Sequence, residues 1–209
     1  MVEDLVSKIA DLKEDEVLRI VRDRLVAGDN PLSILDDVGR ATEIIGKRYA
    51  DGEYFISELV YSGEILKGIT DLVRPRISKA EVRSLGKVII GTVEGDIHNI
   101  GKDIVAMMLG ASGFEVFDLG VDVPTGKFVE KIRETGAPIV GLSGLLTTSF
   151  ESMKQTIEAI KDAGLRDKVK IMIGGGLVNE DIRKYTSADG YGKDVMTAVS
   201  VAREWVRGP

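Results

Sequence analysis

The chain has 209 residues, 44% of them apolar and 30% charged, with 28 basic side chains against 34 acidic ones and a formal charge of -6. This is the make-up of a globular protein of one or two domains; it excludes disorder and collagen, and provides no basic field for a nucleic-acid backbone. Cysteine is absent and histidine occurs once, which removes disulfides, thiol catalysis, iron–sulfur clusters and two-histidine metal sites and leaves His98 as the one imidazole able to ligate a metal.

The opening Met1-Val2-Glu3-Asp4 has no basic or apolar leader, and no apolar run approaches the roughly 18 residues that a membrane span needs. A cytoplasmic chain with no membrane partner is the expectation. Apolar residues then recur at helical spacing: Leu5, Ile9 and Leu12; Val17, Ile20, Val21 and Leu25; Leu35, Val38 and Ile45; Phe55, Leu59, Leu66, Ile69 and Val73. Gly28 reads as a stop, Asn30-Pro31 as an N-cap followed by proline in the first turn, and Pro75 as the close of the fourth helix. Residues 1–77 are therefore expected to form a four-helix bundle. The polar, charged segment 78–86 is the expected linker.

From residue 87 the period changes. Short β-branched runs at Lys87–Val93, Glu115–Leu119, Pro138–Leu142 and Lys170–Ile173 are separated by helix-length segments, a β-α-β-α punctuation that implies a parallel sheet over 87–209. The first and fourth runs are apolar along most of their length, as strands covered on both faces should be. A fifth strand is expected at Ala188–Tyr191, before a closing helix through Trp205.

In an open parallel sheet, ligands bind beyond the carboxyl ends of the strands where strand order reverses. Three such loops carry unusual residues: Glu94-Gly95-Asp96-Ile97-His98-Asn99-Ile100-Gly101-Lys102, Ser143-Gly144-Leu145-Leu146-Thr147-Thr148-Ser149, and Gly174-Gly175-Gly176. Asp96 stands two residues before the imidazole, a spacing that in extended chain turns both side chains to one side. Its carboxylate can then accept the ring N–H, fixing the tautomer and leaving the other nitrogen as base or ligand. Ser149 or Thr147 could extend this relay to Asp96, although Ser/Thr clusters are also ordinary helix caps. The glycine run serves either as a flexible turn or as a wall without Cβ atoms against which a large ligand can lie. A phosphate-binding P-loop is excluded because five residues separate Gly95 from Gly101, and Asp103 stands where a magnesium-binding hydroxyl is needed. No G-x-G-x-x-G follows the first strand, so dinucleotide binding is disfavoured as well.

Asp96-Ile97-His98-Asn99-Ile100-Gly101, followed by Ser143-Gly144-Leu145 and then Gly174-Gly175, resembles the D-x-H-x-x-G … S-x-L … G-G pattern of cobalamin-binding domains that hold the cofactor base-off with histidine below the cobalt. The N-terminal helices, with the run Gly52-Glu53-Tyr54-Phe55-Ile56-Ser57-Glu58-Leu59, resemble the helical cap of methylcobalamin-binding proteins. The resemblance implies an α/β chain in which a four-helix cap precedes a flavodoxin- or Rossmann-like, doubly wound, parallel five-stranded sheet. It implies His98 as the axial cobalt ligand, Asp96 as the carboxylate that orients it and Ser149 as the end of the proton relay. Gly101, Ser143, Leu145, Thr147, Gly174 and Gly175 would line the slot for the displaced nucleotide tail, and Tyr49, Ile56 and Leu59 would cover the upper face of the corrin.

A cap joined to a Rossmann-like domain with nothing else is similar to the stand-alone corrinoid proteins of three-component methyltransferase systems. The resemblance implies a methyl carrier for methylcobalamin or a related corrinoid rather than a complete enzyme. Its partners would be a substrate-specific methyltransferase and a second methyltransferase acting on a folate, pterin or thiol acceptor, with room for a reductive activating protein. The competing reading is a cobalamin-dependent light or redox sensor, which shares cap and domain; transcriptional regulators of that kind put a DNA-binding helix-turn-helix first, where this chain opens on an acidic bundle.

Overall fold

The structure, a computed structural model, describes residues 4–76 and 84–207. Over 78–83 the expected linker lies outside the described residues. The chain divides into two compact units, one helical and one α/β.

The helical unit contains α1 (Leu5–Ala10), α2 (Glu14–Val26), α3 (Pro31–Ala50) and α4 (Ile56–Val73), and a 3-10 turn over Arg74–Arg76 follows. Local chemistry sets their ends. Asp4 caps α1 by accepting from the Val6 amide, and Asn30 caps α3 by accepting from Leu32 with Pro31 in the first turn. Gly28, at φ +87°, ends α2 in the left-handed region. At α4 the Glu58 carboxylate reaches back to the Phe55 amide (2.9 Å). The apolar stripes read from the period are the buried ones, with Ile9, Val17, Val21, Ile45, Leu66, Ile69 and Val73 fully inside. Each such side chain contributes about 1.5–3 kcal/mol relative to exposure. Gly68 lets α4 approach α2, since a Cβ there would come within 3.2 Å of Leu18. Arg24 bridges α2 and α3 through Asp37 (2.6 Å) and holds Asp29 (2.7 Å) as well.

The α/β unit runs β1 (Lys87–Thr92), α5 (Ile100–Ala111), β2 (Glu115–Asp118), α6 (Thr125–Thr135), β3 (Ile139–Ser143), α7 (Ser149–Asp162), β4 (Lys170–Gly174), α8 (Glu180–Thr186), β5 (Gly190–Gly192) and α9 (Val195–Arg207). The five strands are all parallel in the order β2-β1-β3-β4-β5. Because crossovers are right-handed, the reversal of direction at β1 sends α5 to one face and α6 and α7 to the other. On the latter face Phe128, Ile132, Met153, Ile157 and Ile160 share one apolar cluster with Ile89, Val140, Leu142, Ile171 and Ile173 of the sheet. Gly91 makes room there for Phe128, whose ring lies 2.9 Å from where a Cβ would stand. Tyr191 packs on the same cluster, so Gly190 and Gly192 face the opposite side, where α9 brings Trp205 and Ala198 against them. The sheet is thus covered on both faces, which explains the apolar first and fourth strands.

The last strand begins later than its sequence suggests, at Gly190 rather than Ala188. Ser187 closes α8 in the left-handed conformation, the Ala188 amide bonds back to Arg183, and the Asp189 carboxylate accepts the Ile171 amide at 2.7 Å. The two residues expected to open the strand are committed to a helix end and a side-chain bond.

Candidate functional site

The reversal of strand order falls between β1 and β3, and the loops after β1, β3 and β4 meet at their carboxyl ends. Thr92, Ser143, Gly174 and Gly192 stand in register across that edge, a row of small residues. After β1, Gly95 adopts φ +84°, a turn open to glycine, and the chain folds back so that Asp96 is entirely buried (0% exposed). An isolated carboxylate in that position would be costly. Asp96 is instead saturated with donors. Its Oδ1 accepts from the His98 amide (2.9 Å) and from Nδ1 of the His98 ring (2.7 Å), and its Oδ2 accepts from the Ser149 hydroxyl (2.6 Å) and the amides of Leu145 (2.7 Å) and Leu146 (3.1 Å).

Burial by itself pushes the Asp96 carboxyl up, but the bonds from Ser149, from the His98 amide and ring, and from Leu145 outweigh it and hold the group well below the usual carboxylate range. An ionised carboxylate only accepts, so Nδ1 of His98 carries a proton, and in the neutral ring Nε2 is the nitrogen that holds the lone pair. The imidazole is 48% exposed, and Nε2 has no partner among the described residues. Thr92 ties the backbone of the same residue, its hydroxyl donating to the His98 carbonyl at 2.9 Å. The result is a fixed, outward-facing nitrogen donor. The segments after β1, β3 and β4 also carry the exposed apolar residues Ile97, Ile100, Leu145, Leu146 and Leu177.

The structure brings Asp96, His98 and Ser149 together and distinguishes Ser149 from Thr147. The Thr147 side chain is exposed and makes no hydrogen bond among the described residues, whereas Ser149 opens α7 with its hydroxyl turned to Asp96 rather than to its own helix. Ser143 and Gly174 end β3 and β4, and the Gly144 amide bonds to the Gly174 carbonyl (3.0 Å). Gly175 is indispensable in the strict sense: at φ +149° a Cβ would stand 1.9 Å from the Gly144 carbonyl oxygen. Gly101, exposed in the first turn of α5, has open space where a side chain would go. In the helical unit Tyr49 is half-buried on α3, Leu59 is fully buried on α4, and Ile56 is exposed at the start of α4. Sequence reasoning did not find the two loop amides on Asp96, because backbone donors leave no compositional trace. Thr92, a lone hydroxyl ending an apolar strand, was the legible sign of its bond to His98.

Comparison with known families and structures finds relatives that span the chain. Residues 86–200 match a model described as a B12 binding domain, and residues 1–74 match a second model with the same description. The chain is 38% identical over 208 residues to trimethylamine corrinoid protein 1 of Methanosarcina acetivorans, covering 96% of each. It superposes with a TM-score of 0.86 on the crystal structure of a cobalamin-binding protein from Desulfitobacterium hafniense DCB-2, at 36% identity and 98% coverage of both chains. Against the methanol:cobalamin methyltransferase complex MtaBC of Methanosarcina barkeri the TM-score is 0.85 at 26% identity, covering all of this chain and 80% of the other. The B12 binding domain match and the corrinoid relatives indicate cobalamin as the cofactor, and the chain belongs to the corrinoid proteins built from B12 binding domains.

Proposed function

We propose that this corrinoid protein holds cobalamin base-off, with Nε2 of His98 as the lower ligand, and carries a methyl group from a substrate-specific methyltransferase to a second methyltransferase that acts on a folate, pterin or thiol. The observation that carries the reading is the buried, fully bonded Asp96 carboxylate behind a histidine whose outer nitrogen is unpartnered among the described residues. The donor set suits the group, since a neutral imidazole with its tautomer fixed by a carboxylate is a strong nitrogen ligand. A row of small residues and the Cβ-free Gly175 suit a nucleotide tail lying against backbone, with Gly101, Ser143, Leu145, Thr147, Gly174 and Gly175 assigned to that slot.

Bound there, the cobalt supplies the chemistry of accepting and releasing a methyl group. The chain supplies control of the ligand. Asp96 keeps the Nδ1 proton and so keeps Nε2 basic; a proton taken up at Nε2 abolishes the donor, and the Ser149–Asp96–His98 chain of bonds couples that proton to lower-face coordination. Substrate chemistry belongs to the partners. The trimethylamine and dimethylamine corrinoid proteins among the relatives support a methylated amine as the methyl donor, and MtaBC, a complex named as a methyltransferase, supports a methyltransferase as the docking partner.

Mixing the purified protein with hydroxocobalamin and recording visible spectra of the wild type and His98→Ala tests the ligation; identical spectra refute it. The donor class is tested by adding a methylamine:corrinoid methyltransferase with mono-, di- and trimethylamine, and failure of all three to methylate the bound cofactor refutes it.

A further inference from the structure

The loop that presents His98 is held at its far side by Asp96, but its two ends are held by something the mechanism above does not use. The turn leaving β2 carries Asp118 and Asp122. Asp122 sits at φ +51°, a conformation uncommon for a residue with a side chain, and there its Oδ1 accepts the Gly95 amide (2.8 Å) while its own amide donates to the Asp96 carbonyl (2.9 Å). Beside this pair Val93 and Val123 form an isolated parallel bridge. At the other end Asp118 Oδ2 receives the ammonium of Lys102 at 2.6 Å, shared with Asp103 at 2.5 Å, and the Lys102 side chain is 2% exposed. A buried ammonium needs its counter-charge. The turn is itself tied down by hydrogen bonds: Asp118 Oδ1 accepts the Gly120 amide (2.9 Å) and the Gly120 carbonyl accepts the Thr92 amide (3.0 Å). His98 lies between the two anchors.

We propose that Asp122 and the Asp118–Lys102 pair are positioning residues that clamp the histidine loop at both ends and so set the direction of Nε2. This rests on the ligation reading above and adds to it a part of the chain, the β2 turn, that touches neither the imidazole nor its carboxylate. Asp96 is then pinned twice, by its side chain to the loop after β3 and by its backbone to the turn after β2. Loss of either anchor leaves the Asp96–His98 bond chemically intact but free to swing.

The test loads full-length wild type, His98→Ala, Asp122→Ala, Asp122→Asn and Lys102→Met with hydroxocobalamin. It reads the dissociation constant, the visible spectrum and the nitrogen splitting in the electron paramagnetic resonance of the Co(II) form. Asp122→Ala and Lys102→Met are expected to weaken binding about 10- to 100-fold, as removal of outer partners of a ligand does, and to reduce the nitrogen splitting. Asp122→Asn, which keeps an acceptor and tolerates the left-handed backbone, should behave as wild type. Wild-type splitting and affinity in Asp122→Ala would overturn the clamp alone; an unchanged His98→Ala spectrum would overturn the ligation reading and the clamp with it. Should Asp122→Ala not fold, amide exchange at the exposed Gly95 of the wild type decides: protection supports the bond to Asp122, and free exchange overturns it.

Discussion

Replacing Asp96 by asparagine makes a change of one group whose consequence the geometry determines. The carboxylate accepts from five donors, two on Oδ1 and three on Oδ2. An amide must turn its NH2 towards one set. Facing the β3 loop, it opposes the amides of Leu145 and Leu146, neither of which can become an acceptor, while the Ser149 hydroxyl can rotate. Facing His98, it opposes a single backbone amide and a ring nitrogen that can exchange roles. Each orphaned buried donor costs about 1–3 kcal/mol, so the second arrangement wins by about that amount. In it Nδ1 becomes the acceptor, the proton moves to Nε2, and the lone pair aimed outward is lost. Asp96→Asn is therefore expected to fold, with an apoprotein destabilised by about 1–3 kcal/mol in urea unfolding, and to bind hydroxocobalamin without the spectrum of histidine ligation. A variant that keeps that spectrum with an unchanged unfolding midpoint would refute the argument.

The remaining predictions concern stability and the glycine wall. Because the Asp96 carboxyl is depressed in the folded state, its contribution is fully present above the ordinary carboxylate range, about pH 4, and is lost as pH falls through the lower folded value. Urea midpoints from pH 5 down to 2.5 should fall more steeply for wild type than for Asp96→Asn, and parallel curves would count against the bonding pattern. Ser149→Ala deletes a donor along with its partner bond and should cost about 1 kcal/mol in apoprotein stability, with both loop amides still holding Asp96 and the histidine spectrum retained. Gly175→Ala, driven 1.9 Å from a carbonyl oxygen at φ +149°, should cost more than about 3 kcal/mol or prevent folding. Gly101→Ala, with open space at a helical position, should leave the apoprotein as stable or up to about 1 kcal/mol more stable while weakening cobalamin binding, and unchanged affinity would remove Gly101 from the slot.

The division into helices and parallel strands was legible from period alone, since an apolar stripe every three to four residues and a short run covered on both faces are each imposed by geometry on any chain that folds this way. A lone histidine two residues after an aspartate, on the loop where a parallel sheet must open, likewise marked a candidate site in the sequence. The order β2-β1-β3-β4-β5 made that loop a switch point. What the linear chain left open were choices among equivalent chemistries: Ser149 against Thr147 as the partner of Asp96, a flexible glycine turn against a position where no Cβ fits, and the start of the last strand, displaced because Ala188 and Asp189 were already bonded elsewhere. Those outcomes hang on distances of a few ångströms between residues some fifty positions apart, such as Asp96 and Ser149. Spacing along a chain carries no information about such distances; they come into being when crossovers stack three loops at one edge of a sheet.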